Sequence, residues 1–346
     1  MWLISALLFA SLVGAQPNDS LTIKNPEPEA PPRGPHQTAE ISLNTELRYL
    51  STDVVQRRGE EGGRLYELST RMRFEPDPLV GISIDAGVED FGDDSRFIFR
   101  KAEVDLHPIE RVELRAGQTY IPLGYFTEND RWMAELPHYY SILLPWKKGI
   151  DLGARAMIRP FNNDHLILDG STFSGRTVRP GDERPGPAES RPVLGQLRSE
   201  GRYWSAFAAL WEHDLAYRDR VEARGIGLSL KYNFESLDLE PLMQIEGFLI
   251  EEKQQTGPMQ ISRAGSALAQ IRWRRVVAGG LYGQSLREAT VNRQTFALEP
   301  IFERTFYGEV ILHRSLRLRA EKRKIDDGER SVDDVVWRAL FDIQVL

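Results

Sequence analysis

From Glu40 onward, apolar and polar residues alternate in short runs separated by polar stretches. Ile41, Leu43, Leu47 and Tyr49 alternate with Ser42, Asn44, Glu46 and Arg48. Neighbouring side chains of a strand point to opposite faces, so this period of two predicts an amphipathic strand. A second run sets Tyr66, Leu68, Thr70, Met72 and Phe74 against Glu67, Ser69, Arg71 and Arg73, and a third sets Val80, Ile82, Ile84, Ala86 and Val88 against Ser83, Asp85 and Gly87. Similar segments follow at Phe97 to Leu106, Val112 to Tyr120, Ile150 to Ile158, Asp164 to Ser171, Pro192 to Arg198, Tyr203 to Trp211 and Gly225 to Phe234. Others lie at Leu239 to Glu251, Ser262 to Trp273, Val276 to Gln284, Thr305 to Leu312 and Leu316 to Lys324. The closing run, Val335 to Leu346, places Trp337, Ala339, Phe341, Ile343 and Val345 on one face and Arg338, Asp342 and Gln344 on the other. Together these predict about sixteen strands, each near the length that crosses a membrane when tilted.

The connections alternate in length. Short turns are expected at Glu75 to Pro78, His107 to Glu110, Pro160 to Asp164, Ser199 to Arg202, Glu235 to Asp238 and His313 to Ser315. Longer loops come between them, at Ser51 to Gly63, Glu89 to Arg96, Ile121 to Gly149, Gly170 to Arg191, Glu212 to Val221, Glu252 to Gln260 and Ile325 to Asp334. Thr295 to Phe302 also has a strand-like pattern. Because Pro300 cannot donate to a ladder, this stretch is assigned to the seventh long loop. Short turns alternating with long loops predict an all-β fold: a transmembrane antiparallel up-and-down β-barrel from Glu40 to Leu346, its last strand paired with its first.

Composition narrows the picture. Hydrophobic residues make up 41% of the chain and mean hydropathy is −0.40, so no run approaches the roughly twenty apolar residues of a spanning helix. The one apolar run, Leu3 to Ala15, ends in small residues and reads as a secretory signal peptide over residues 1–15, with a buried N-terminal element as the alternative. Residues 16–39 are polar and carry Pro17, Pro26, Pro28, Pro31, Pro32 and Pro35, the composition of an extended periplasmic tail. The chain has no cysteine, which excludes disulfides and thiolate metal sites. A formal charge of −7 argues against a nucleic-acid partner, which would call for a basic surface.

The polar faces supply the candidate chemistry. Arg71, Arg73, Arg115, Arg155, Arg198, Lys231, Arg317, Arg319 and Arg323 would point into the lumen, where a ladder of guanidinium groups favours anions. The same faces carry Glu46, Glu67, Asp85, Glu103, Asp105, Glu113, Asp151 and Glu321, so cross-strand charge pairs that stiffen a polar wall explain the set equally well. Tyr49, Phe74, Tyr120, Tyr232, Phe234, Phe248, Trp273 and Phe306 are expected outward, near strand ends, as interfacial girdles. The adjacent pairs Asp164–His165 and His213–Asp214 would point to opposite faces, and no serine sits in a nucleophile motif, so no catalytic residue, metal or cofactor is expected.

The fifth strand and its exit, VELRAGQTYIPLGYF from Val112 to Phe126, and the re-entry GIDLGARA from Gly149 to Ala156 resemble the family of phosphate-selective porins O and P. Gly117, Tyr120, Pro122 and Gly124 carry the likeness, which extends as texture from Ala39 onward. The resemblance implies sixteen strands, a homotrimer and passive diffusion of small hydrophilic solutes or ions, with phosphate or other anions preferred. It also implies that the third long loop, Ile121 to Gly149, folds into the lumen. There Glu128, Asp130, Arg131, Lys147 and Lys148 would line a constriction while Trp132, Leu136, Tyr139, Leu143, Leu144 and Trp146 pack on the wall. The alternative puts those aromatics at a trimer interface or the headgroup belt. The chain departs from this class in ending on Val345 and Leu346 rather than on a terminal aromatic. The expectation is a porin in the outer membrane of a diderm bacterium, with outer-membrane lipid and small solutes as partners. Three rivals remain: a non-conducting barrel with a binding or structural role, a barrel hydrolase, and a soluble periplasmic β-protein.

Overall fold

The computed structural model describes residues 38–52, 62–77, 79–89, 96–120, 125, 150–160, 165–174, 192–214, 220–253, 259–291, 294–313, 315–326 and 331–344. The strands are β1 (Thr38–Thr52), β2 (Gly62–Asp77), β3 (Val80–Glu89), β4 (Arg96–Ile109), β5 (Val112–Tyr120), β6 (Ile150–Ile158), β7 (Leu166–Phe173) and β8 (Val193–Glu200). They continue as β9 (Trp204–Asp214), β10 (Arg220–Lys231), β11 (Leu239–Lys253), β12 (Met259–Trp273), β13 (Val276–Val291), β14 (Gln294–His313), β15 (Leu316–Asp326) and β16 (Ser331–Gln344). Each pairs antiparallel with its neighbours in sequence, and β16 returns to pair with β1 from Thr52↔Asp334 to Ser42↔Gln344. The sheet therefore closes, leaving no unpaired edge.

The period of two sorts the wall into two surfaces. On β1, Leu43, Leu47 and Tyr49 are exposed outward, whereas Glu46 between them is fully buried on the inner side. On β16, Trp337 and Ile343 are outward and Arg338 is buried. Apolar side chains on the outside and carboxylates and guanidinium groups inside are the reverse of a water-soluble protein. That inversion suits a wall whose outer solvent is lipid.

Two expectations need correction. Thr295 to Phe302 is not loop but the first part of β14, which pairs with β13 from Val291↔Gln294 onward. Pro300 is tolerated for two reasons. It falls where the β13–β14 register shifts, between Ser285↔Ile301 and Arg287↔Leu298, and β15 joins only at Phe302↔Asp326. A proline at a bulge on an unpaired side removes no ladder hydrogen bond, so the strand lengthens and the count stays even. Phe248 is the second correction: it is buried on the inner face of β11 rather than outward.

Gly117 on β5 lies in the segment that carries the family resemblance. Its φ is +143°, and a Cβ there would collide with the carbonyl oxygen of Ala102 on β4. The backbone contact between β4 and β5 at this point excludes any other residue.

Candidate functional site

Alternation along β15 puts Arg317, Arg319, Glu321 and Arg323 on one inward face, and the neighbouring strands meet each cation with a carboxylate. Glu309 on β14 receives Arg317 at 3.3 Å and Arg319 at 2.5 Å. Glu303 lies 3.3 Å from Arg323, and Glu321 lies 3.6 Å from Arg319 and 3.2 Å from Arg338. The lattice continues around the wall. Arg71 meets Asp85 at 3.8 Å, Arg73 meets Glu75 at 2.6 Å, and Lys101 meets Glu103 at 2.8 Å. Arg115 reaches Glu113 at 2.5 Å and Asp105 at 3.2 Å. Asp169 on β7 takes Arg155 through two bonds of 2.6 and 2.9 Å and has Arg198 at 3.9 Å.

Of the expected lumen residues, Arg317 and Arg319 are thus brought together on one carboxylate. Arg155 and Arg198 share another, and Arg71, Arg73 and Arg115 stay on separate ones. All five groups lie within 4 Å of acidic partners, so the positive field a solute would meet is largely cancelled at its source. Glu128, Asp130, Arg131, Lys147 and Lys148 lie outside the described residues. Sequence reasoning missed Asp169, Glu303 and Glu309, the carboxylates that hold the arginines, although each sits at an inward position of its strand.

From β7 to β14 the inner wall also carries apolar side chains, set among buried polar ones such as Gln196, Ser229, Glu246 and Gln270. Phe173, Leu194, Phe207, Ala209, Trp211, Val221, Ala223, Phe248, Ile250 and Ala264 form one inward cluster across β7 to β12. Leu242, Leu268, Val277, Leu281 and Tyr307 form a second. A signal was available: the run from Ala206 to Trp211 has no polar face, so both its sides are apolar.

Tyr125, in the loop after β5, is packed against both clusters. Its N–H donates to Glu246 Oε2 of β11 at 3.1 Å, and its hydroxyl donates to the Ser205 carbonyl at 2.7 Å. Its ring stands edge-on to Phe207 with centroids 4.9 Å apart. Gly227 on β10 makes the space, because a Cβ there would lie 2.9 Å from the Tyr125 ring and would clash with Phe207. Tyr125 therefore sits inside the barrel, against strands four to six positions away from the one it follows. Burial pushes its hydroxyl above the usual phenol range, partly offset by the Ser205 bond, so it is a neutral donor at ordinary pH.

No cluster of three or more metal-ligating side chains occurs among the described residues. His165 donates from Nδ1 to the Glu200 carbonyl by the start of β7, whereas His213 is buried beside Trp211 near the far end of β9. The two histidines are at opposite ends of the wall and form no common site.

Solved structures share this architecture. An anion-selective porin from Comamonas acidovorans superposes with a TM-score of 0.61 at 13% identity, over 89% of this chain and 99% of that one. The outer membrane channel DcaP of Acinetobacter baumannii gives 0.59 at 9% identity, over 89% and 97%. OccK11 of Pseudomonas aeruginosa gives 0.56 at 12%, over 89% and 96%. No protein-family profile matches the chain, and no curated protein matches it in sequence. The chain has the fold of the outer-membrane porins and channels, the sixteen-stranded barrel of the diderm outer membrane.

Proposed function

We propose that the protein is a porin that lets small hydrophilic solutes diffuse passively across the outer membrane. The observation that carries this reading is Tyr125, seated in the lumen of a closed barrel whose inner wall is lined with ion-paired side chains. On this reading the third loop crosses the lumen and narrows it, with Glu128, Asp130, Arg131, Lys147 and Lys148 on its free surface. The pore does not catalyse a reaction. Its selectivity is weak, because phosphate recognition of the kind the family resemblance implies needs guanidinium donors that are not already committed to carboxylates. The chain assembles as a homotrimer, in keeping with the same resemblance.

Reconstitution of the full chain into planar bilayers tests the reading. Stepwise conductance with a reversal potential near zero across a salt gradient supports it. A folded, heat-modifiable barrel that inserts without conductance steps would instead mean an occluded lumen with a binding or structural role.

A further inference from the structure

At the end of the barrel where the connections are short, the periplasmic end in this class of fold, two neighbouring hairpins stand side by side. The β10–β11 hairpin turns through a single 3-10 turn at Glu235–Leu237, and the β12–β13 hairpin turns at Arg274 and Arg275. Asp238 and Arg274 both take the left-handed backbone conformation, with φ of 50° and 53°. The Arg274 N–H donates to the Asp238 carbonyl at 3.0 Å, which clips the two turns together. A backbone conformation that an arginine rarely adopts is thereby fixed at their meeting point.

Between the hairpins lies a polar cavity of about 440 Å³, within the size range of small-molecule sites. Its two sides carry opposite charge. Glu235, Asp238 and Glu240 come from the β10–β11 hairpin, and Arg272, Arg274 and Arg275 come from β12–β13. Met243, Ile245, Ile271 and Trp273 are exposed outward, so alternation puts Glu240 and Arg272 at inward positions and opens the cavity on the lumen side of the rim. The facing groups do not close on one another. Arg272 is 3.8 Å from Glu240 and Arg274 is 3.5 Å from Asp238, both longer than a charged hydrogen bond, whereas Arg155 and Arg338 lie 2.6 and 2.7 Å from their carboxylates. Among the described residues the Arg275 side chain has one partner, the Leu312 carbonyl at 3.5 Å.

We infer that this cleft binds a short zwitterionic peptide of two or three residues. Its ammonium goes to the acidic side and its carboxylate to the arginines, whose guanidinium groups form paired charge-assisted bonds with such an end. Asn233, also in the lining, has a carboxamide that can both accept from and donate to a peptide bond. The acids and arginines cancel in formal charge, so a lone anion or cation gains little from the cleft, while a ligand with separated charges matches both sides. Length follows from sheet geometry. The two turns are centred two strand spacings apart, about 10 Å, and an extended chain covers about 3.5 Å per residue, so two or three residues span them and a single amino acid does not. The inference rests on the porin reading for the peptide's route through the lumen.

The test is isothermal titration calorimetry of the full-length folded barrel in detergent with triglycine, glycine, N-acetyltriglycine, triglycinamide and inorganic phosphate. Triglycine should bind, and shortening it to glycine or capping either end should weaken binding by roughly tenfold, the effect of one charged hydrogen bond. Glu235→Gln/Glu240→Gln should remove the preference for triglycine over its N-acetyl form, and Arg272→Gln/Arg275→Gln the preference over its amide. The single variants Glu235→Gln and Arg275→Gln, expected to reduce those preferences severalfold, serve where a double variant loses heat-modifiability. Arg202→Gln, on the neighbouring turn between β8 and β9, should change nothing. Absence of triglycine binding, equal binding of the capped forms, preferences unchanged in the charge variants, or displacement by inorganic phosphate would each overturn the proposal. Calorimetry in detergent needs no conduction. A barrel that binds triglycine without conductance steps in bilayers removes the porin reading and keeps the site, whereas one that conducts without binding triglycine removes the site alone.

Discussion

Arg338 on the last strand donates from Nε and Nη2 to the two carboxylate oxygens of Glu46 on the first, both at 2.7 Å. Both residues are buried, and Glu321 adds a third oxygen at 3.2 Å from Arg338 Nη1. The pair ties together the two strands that close the barrel. Removing one partner leaves a buried charge uncompensated, so Arg338→Met should lower unfolding stability by about 3–5 kcal/mol. Replacing both, as Glu46→Gln/Arg338→Met, should cost less than the single change, because Glu46 no longer carries a bare buried charge and Glu321, the other partner of Arg338, keeps Arg319 at 3.6 Å. Urea unfolding of the reconstituted barrel reads the difference. A double variant as unstable as the sum of its singles would show that the seam does not depend on this pairing.

Asp169 holds two of the lumen arginines, Arg155 and Arg198. Asp169→Asn keeps its shape and removes its charge, leaving the positive charge of Arg155 and Arg198 less compensated. A unit charge ~10 Å from an ion in water is worth about 0.4 kcal/mol, roughly a twofold change in local ion concentration. The reversal potential in a potassium chloride gradient should therefore move toward chloride by about that factor in permeability ratio. The shift should shrink as ionic strength rises. An unchanged reversal potential would mean that Arg155 and Arg198 lie away from the ion path.

Tyr125 makes a pH prediction with a definite sign. The residue lies in a loop, outside every membrane-spanning strand, and burial raises its ionisation above the usual phenol value of 10.0. Its contribution to holding the loop is therefore fully present below pH 10 and is lost as pH rises through the higher folded value. Single-channel conductance should be steady from neutral pH to about pH 9 and increase only beyond the ordinary phenol range. Tyr125→Phe, which keeps the ring but not the hydroxyl, should abolish that alkaline step. A step that survives in the Phe variant must come from another group.

Much of this fold is legible in the sequence because strand alternation and loop length are local signals. The sixteen strands, their direction and the pairing of β16 with β1 follow from residues such as Trp337, Arg338 and Ala339 read in order. Pro300 was misleading because its tolerance depends on where the register shifts and on where β15 begins, and neither is written near it in the sequence. Phe248 was misplaced for a different reason: alternation puts it on the face of Gln244 and Glu246, opposite Met243, Ile245 and Leu249, and its aromatic character was given more weight than that register. The pairing of arginines with Asp169, Glu303 and Glu309 was equally hidden. A charge's partner is set by register, whereas its inward direction is set by alternation alone.

Gly227 gives the sharpest test of whether Tyr125 is held by its seat or merely lies near it. The glycine has no side chain where a Cβ would lie 2.9 Å from the Tyr125 ring, so Gly227→Ala should push the tyrosine out while leaving both of its hydrogen-bond acceptors in place. Tyr125→Ala removes the same contact from the other side. If the two residues form one latch, each variant should raise single-channel conductance, and the double variant should add little to the larger single effect, as expected for residues that share one interaction. Gly227→Ala also crowds Phe207, so its stability should fall by roughly 1–3 kcal/mol through overpacking even though its conductance rises. In Gly227→Ala/Tyr125→Ala part of that loss should return, because the deleted ring leaves Phe207 room to move. Additive conductance changes, with no recovery of stability, would mean that Gly227 and Tyr125 act on the pore separately.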